Sequence, residues 1–311
     1  FASCQQVKRL DYIYVEHEGQ RTLAQISKVK RISDVSFERV FSGDAHQEEQ
    51  KISATADVIG YRGARGLSVP RSPLRQGSPV YAADETVVRE VLGLPTQGAY
   101  VGRLKDMDIP VYLDINALLQ KHIAVLAKSG SGKSYTVGVI AEELMEHDVP
   151  VVIIDPHGEY ASLIRPNLDE EELQLMKRFD VKPKGYGEQV EQYAPGGDPE
   201  SEAIPLHLDE INLDMNDLLD VLPSKLTGVQ KGILYKAIKE VQETKRVYLL
   251  PDIIEALKEV KSSAKWNVIP QLEELDKMHL FSADATPMES LVQQGKCSIL
   301  NLRGVPPHIQ D

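Results

Sequence analysis

Cysteine is scarce: Cys4 and Cys297 are the only two in 311 residues. They lie far apart, which excludes a disulfide-stapled secreted fold and fits a reducing cytoplasm. No apolar stretch approaches the length of a membrane span, and no signal-peptide pattern is present, so no membrane association is expected. The eight histidines are scattered and join no cysteine cluster, which leaves no metal-ligand spacing to read. An excess of basic charge is missing too. The net charge is −12, so contact with a polyanion such as DNA has to be confined to local patches. Arg62 with Arg65 and Arg71 with Arg75 read either as such patches or as solvated hairpin tips.

What the chain does carry is a glycine loop in a telling position. Ser129-Gly130-Ser131-Gly132-Lys133-Ser134 follows the apolar run Ile123 to Ala127 and precedes a helix-patterned segment, Tyr135 to His147. Strand, loop, Gly-Lys-Ser and helix is the layout of a P-loop. Backbone N–H groups of Ser129 through Tyr135 would face a polyphosphate at a helix N-terminus. Ala127 stands where the strict pattern has its first glycine, and a methyl group is tolerated there if φ stays negative. Lys133 is placed to reach the β- and γ-phosphates, and the Ser134 hydroxyl to ligate Mg²⁺. The expected ligands are therefore ATP and Mg²⁺. In the helix, Val137, Ile140, Ala141, Leu144 and Met145 recur at helical spacing and predict a face that packs on a sheet.

A second apolar run, Val149 to Ile154, ends in Asp155 and continues Pro156-His157-Gly158-Glu159-Tyr160. Such a run suits a parallel strand buried on both faces, and ligands of open α/β sheets sit at the carboxyl ends of their strands. Asp155 is thus expected on the P-loop rim. It reads as a Walker B acid holding Mg²⁺, as a helper acid with the Walker B carboxylate elsewhere, or as a plain Asp-Pro turn. Glu159 is the second candidate acid; two acids and a histidine in one tight turn can hold a metal-bound water or position a nucleophile, unless His157 is simply a turn donor.

Around these motifs, residues 1–94 read as β-rich. Strands are expected at Asp11–Val15, Arg21–Val29, Ala54–Gly60 and Ser78–Ala82, and this punctuation predicts a small barrel. Ser42–Gln50 is expected to be a polar loop, and Thr86–Leu92 a short helix. Gly98–Asp114 is expected to add edge strands to the sheet of the P-loop. Residues 168–287 read as largely helical, with helices after Asp169 and at Asp214–Val221, Gly228–Lys245, Pro251–Lys261 and Asn267–Met278. A Pro/Gly-rich break at Tyr193–Pro199 interrupts them, and Cys297–Leu302 is a last strand.

Leu126–Ser134 followed by Val152–Tyr160 resembles HerA, the hexameric DNA translocase of the HerA/FtsK group of P-loop ATPases. The likeness is sharp from about Gly98 to Tyr160. It implies an α/β fold: an N-terminal β-barrel over residues 1–94, then a RecA-like P-loop ATPase core over 95–311 with a helical insertion at about 167–290. By the same resemblance Lys133, Asp155 and Glu159 are catalytic, and Ser134 and Asp155 hold the metal. The implied function is an ATP-dependent DNA translocase subunit in a homo-oligomeric, six-membered ring. Its implied partners are a NurA-like nuclease in DNA end processing or an effector in antiviral defence, in the cytoplasm. The family's Glu-Glu-Ala-His strand and its trans-acting arginine have no counterpart here, so an incomplete core and a longer parent protein are expected. A non-motor ATPase scaffold, a secretion or conjugation ATPase, and a small-molecule kinase are the alternatives.

Overall fold

The computed structural model describes residues 7–32, 51–105, 107–196 and 203–310. The expected loop Ser42–Gln50, Cys4 and the end of the Tyr193–Pro199 break lie outside them. The chain divides into two compact units, 1–123 and 124–311.

In the first unit, β1 (Tyr12–His17), β2 (Gln20–Ile32), β3 (Lys51–Gly63), β4 (Gly66–Ser68) and β5 (Val80–Ala82) form one sheet in the order β4-β3-β2-β1-β5. The pairs are antiparallel. The expected closed barrel is corrected to an open sheet: β4 and β5 are its two edges and do not pair among the described residues. β2 and β3 are far longer than the sequence suggested, 13 residues each. Register shifts between Leu23/Ala24 and Ile26/Lys28 bend this long ribbon. α1 (Glu85–Leu92) is capped by Asp84 at its start and by left-handed Gly93 at its end, and buries Val87, Val88 and Val91.

β6 (Ala99–Arg103) and β7 (Pro110–Leu113) make a separate antiparallel hairpin. They are not edge strands of the parallel sheet, and they fall in the first unit, beyond the boundary at residue 94 that the sequence suggested. A short helix, α2 (Ile115–Gln120), follows.

The second unit is a mixed α/β fold around a parallel sheet. Its helix α3 (Lys133–Glu146) is the helix after the P-loop, and β8 (Val151–Asp155) is the strand with the terminal acid. After α4 (Glu170–Phe179) come β9 (Val190–Pro195), β10 (Ile204–Leu206) and the two-residue β11 (Leu208–Asp209). Helices α5 (Met215–Val221), α6 (Gly228–Thr244), α7 (Leu250–Glu259) and α8 (Ile269–Lys277) follow. β12 (Phe281–Ser282), α9 (Met288–Leu291), β13 (Cys297–Asn301) and α10 (Pro307–Gln310) complete the chain. The sheet runs β10-β9-β13-β8 with every pair parallel. The last strand, β13, thus sits centrally, and Cys297, Ser298 and Ile299 are buried. Burial pushes the Cys297 thiol up to about 11, so it stays a packing residue.

The apolar run Ile123–Ala127 forms no strand. Leu126 is 92% exposed and β8 is an edge strand, with Val152 and Ile154 also exposed. A strand exists only through a neighbour's hydrogen bonds. Among the described residues nothing pairs on that side of β8, so the run stays irregular. The helical layer has its own core, in which Leu234, Leu250, Ile253, Leu257 and Leu272 are fully buried.

Candidate functional site

Gly130 (φ 76°) and Gly132 (φ 89°) both take left-handed conformations. Side chains rarely adopt these, and a Cβ on either would meet nothing within 4 Å, so the loop forms an open cradle. Gly132 is the N-cap of α3 and supplies no side-chain cap, which leaves first-turn N–H groups without a capping partner from its side chain. The loop is tightened from below: Ser131 donates through N–H and Oγ to the Lys128 carbonyl at 3.1 and 2.5 Å. Thr136 donates to the Gly132 carbonyl through N–H at 2.9 Å and Oγ1 at 3.0 Å. Ser129, Lys133 and Tyr135 are exposed.

Under the loop, α3 buries Gly138, Ala141 and Met145. This is a narrower face than the sequence suggested, since Val137, Ile140 and Leu144 are only partly buried. Ala141 and Met145 pack with Ile153, Ile299 and Tyr186.

The turn after β8 is organised by Asp155. Its Oδ1 accepts the N–H groups of Gly158 and Glu159 at 2.9 and 3.1 Å, and its Oδ2 accepts that of Tyr160 at 3.0 Å. Asp155 is 2% exposed. With both oxygens held by amides, it faces its own turn. The acid that reaches the P-loop is Glu159, whose Oε2 accepts the Ser134 hydroxyl at 2.5 Å. Tyr160 adds a phenol beside Ser134; burial raises the pKa of that phenol, with the Ser134 hydroxyl opposing. His157 is exposed. The structure therefore brings together Ser134, Glu159 and Tyr160, and sets Asp155 behind them. Tyr160 was not singled out as a site residue; its hydroxyl is found only through the three-dimensional turn. The hard oxygens of Ser134 and Glu159, beside an anion cradle, suit Mg²⁺ with a nucleotide's phosphates.

Further along α3 lies a second ionisable group. Burial, with help from Glu143 and Glu146, pushes the Glu142 carboxyl up to about 7, and Lys184 pulls against it. Glu146 pairs with Lys184 and accepts the Tyr186 hydroxyl at 2.9 Å.

Among the described residues no helix is long and apolar enough to cross a membrane. The family description "Helicase HerA, central domain" matches residues 99–311. An uncharacterised protein of Aquifex aeolicus is 38% identical over 125 residues, which is 38% of this chain and 46% of that protein. The DNA double-strand break repair helicase HerA of Pyrococcus furiosus is 34% identical over 143 residues, 45% of this chain and 25% of its own. A probable DNA double-strand break repair helicase HerA of Methanocaldococcus jannaschii is 29% identical over 171 residues, 54% of this chain and 31% of its own. The chain spans less than half the length of these relatives. Among solved structures, VirB4 of Thermoanaerobacter pseudethanolicus aligns with a TM-score of 0.42 at 16% identity, over 70% of this chain and 60% of that one. With its residues 99–311 matched, the chain belongs to the HerA helicase family, through that family's central domain.

Proposed function

We propose that this chain is the nucleotide-binding part of an ATP-driven DNA motor. The observation that carries the reading is the 2.5 Å contact between Ser134 and Glu159, which joins the open cradle of Gly130 and Gly132 to the turn after β8 in one site. Main-chain N–H groups of residues 129–135, apart from that of Ser131, which the Lys128 carbonyl accepts, hold the phosphate oxygens, and Lys133 places its ammonium beside the β- and γ-phosphates. Ser134 and Glu159 are the residues that would hold Mg²⁺, which when bound neutralises charge developing on the transferred phosphoryl group. Asp155 serves by fixing the turn, so that Glu159 meets Ser134 without reorganising.

DNA as the substrate is supported by relatives named DNA double-strand break repair helicases. Assembly into a ring, a nuclease partner of the NurA kind, a role in antiviral defence and a cytoplasmic location follow from the family resemblance alone and belong to the same proposal. A non-motor ATPase scaffold is favoured by one observation, the net charge of −12. DNA-stimulated MgATP hydrolysis separates the two, because a motor shows it and a scaffold does not. Lys133→Ala should lower hydrolysis at least about a hundredfold with an unchanged unfolding midpoint. Turnover at the parent rate would remove Lys133 from the mechanism.

A further inference from the structure

Two arginine pairs of the first unit take no part in the nucleotide site. From Val58 to Ala83 the chain has no acidic residue and four arginines: Arg62, Arg65, Arg71 and Arg75. All four are exposed. The antiparallel register brings them to one end of the sheet. There β1 ends and β2 begins at the pair His17–Gln20, Gly63 of β3 pairs with Gly66 of β4, and Val80 of β5 pairs with Val15 of β1. Arg65 lies in the turn between β3 and β4, while Arg71 and Arg75 lie in the segment 69–79 that joins β4 to β5, the two opposite edges. That segment crosses this end of the sheet and is pinned to it. His17 Nε2 lies 2.8 Å from Ser72 Oγ, and the Ser72 hydroxyl donates to Glu18 Oε1 at 2.8 Å. Pro70, Pro73 and Pro79 stiffen it further.

The fold itself uses one of these arginines. Arg62 lies over Gly93 and donates to the Leu92 carbonyl at 3.5 Å. Arg65, Arg71 and Arg75 have no ion-pair partner among the described residues. The acids at this end are Glu16, which stands opposite Arg21 in the register, Glu18, which accepts the Ser72 hydroxyl, and Glu90, which pairs with Arg21 at 3.0 Å. With Arg21 counted, five arginines meet three acids, and the excess falls on the three unpaired guanidinium groups. Exposed charges of one sign add little to stability. Held on a stiffened segment, they lose little freedom when a ligand arrives. Guanidinium groups spaced along a chain segment match successive phosphates of a polyanion. No aromatic residue stands between Tyr61 and Tyr81 to stack on an unpaired base, which favours a duplex over a single strand.

We propose that this end of the β4-β3-β2-β1-β5 sheet is a contact surface for the phosphate backbone of duplex DNA, with Arg65, Arg71 and Arg75 as its charged anchors. The inference rests on the reading of the chain as a DNA-acting protein and assigns that action a surface apart from the nucleotide site. A basic footprint confined to one end of one sheet is compatible with the net charge of −12.

The test is binding of a fluorescently labelled duplex oligonucleotide over a series of salt concentrations. Four proteins are compared: the parent chain, R65Q/R71Q/R75Q, the charge-preserving R65K/R71K/R75K, and a control with equal charge change in the second unit, K177Q/K182Q/K236Q. All four should share one unfolding midpoint, since none of the substituted side chains is buried. The glutamine variant should weaken binding at least about tenfold and flatten the salt slope by about one unit per arginine removed. The lysine variant should keep the parent's slope, and the control should bind like the parent. Parent-like binding by the glutamine variant would overturn this assignment while leaving the motor reading in place. Equal loss in the control would overturn it in favour of a general charge effect, and equal loss in the lysine variant would show a role other than charge. Failure of the parent chain to bind duplex, or its preference for anionic phosphatidylserine vesicles, would overturn the DNA reading and this surface with it.

Discussion

Two aliphatic stretches of the second unit meet water in opposite ways. In the layer of α6, α7 and α8, Leu234, Leu250, Ile253, Leu257 and Leu272 are fully buried, whereas Leu126, on the approach to the phosphate loop, is 92% exposed. A helix completes its hydrogen bonds internally and needs only an apolar neighbour, which each of these helices finds in the next. A strand needs a partner, and the run before the loop pairs with none among the described residues, although β8 leaves an edge open. The comparison separates stability from chemistry: the helical layer holds itself together, while the phosphate loop is positioned from its other side, by α3 and by the turn that Asp155 holds.

Several substitutions sharpen this contrast. Leu257→Ala should lower the free energy of unfolding by about 3 kcal/mol, because a fully buried leucine leaves a cavity. Leu126→Ala should change it by less than about 0.5 kcal/mol. Denaturant titration measures both, and equal costs would mean that the loop approach is packed after all. Asp155→Ala strips three amides of their acceptor and should cost about 2 kcal/mol, with weaker ATP binding as the turn loosens. Unaltered stability would show that the turn holds without its carboxylate.

A smaller effect is expected on the back of α3. The Glu142 carboxyl is raised from its ordinary 4.5 to about 7 in the folded chain. Between those values the folded state binds the proton more tightly than the unfolded state does. Its contribution is therefore fully present below about 4.5, is lost as pH rises through 7 and stays lost above. Glu142→Gln should remove this slope and stabilise the chain at pH 8 by on the order of 1 kcal/mol, after allowance for solvent screening. Parallel stability curves for the variant and the parent across this range would contradict it.

Much of this was legible in the chain. The helices α4 to α8 follow from apolar spacing and caps such as Asp169, Asp214 and Thr227, which act locally. The strand ending at Asp155 and the two glycines of the cradle follow from equally local signals. What the sequence concealed depends on distant partners. β9 lies inside a stretch that reads as helical, since Val190–Pro195 becomes a strand only by pairing with β13, about a hundred residues later. The run Ile123–Ala127 has a strand's composition but stays irregular and does not pair with the open edge of β8. The roles of Asp155 and Glu159 could not be told apart by residue type. Only the turn's geometry, with three amides converging on Asp155, turns Glu159 toward Ser134.

The central claim is that residues 129–135 enclose a nucleotide's phosphates while Ser134 and Glu159 face its Mg²⁺. A crystal structure of the chain soaked with MgCl₂ and a non-hydrolysable ATP analogue tests it most directly. The account predicts β-phosphate density within the ring of N–H groups from residues 129–135, and a metal peak against the Ser134 hydroxyl. Analogue density bound elsewhere, with the loop vacant, would contradict it.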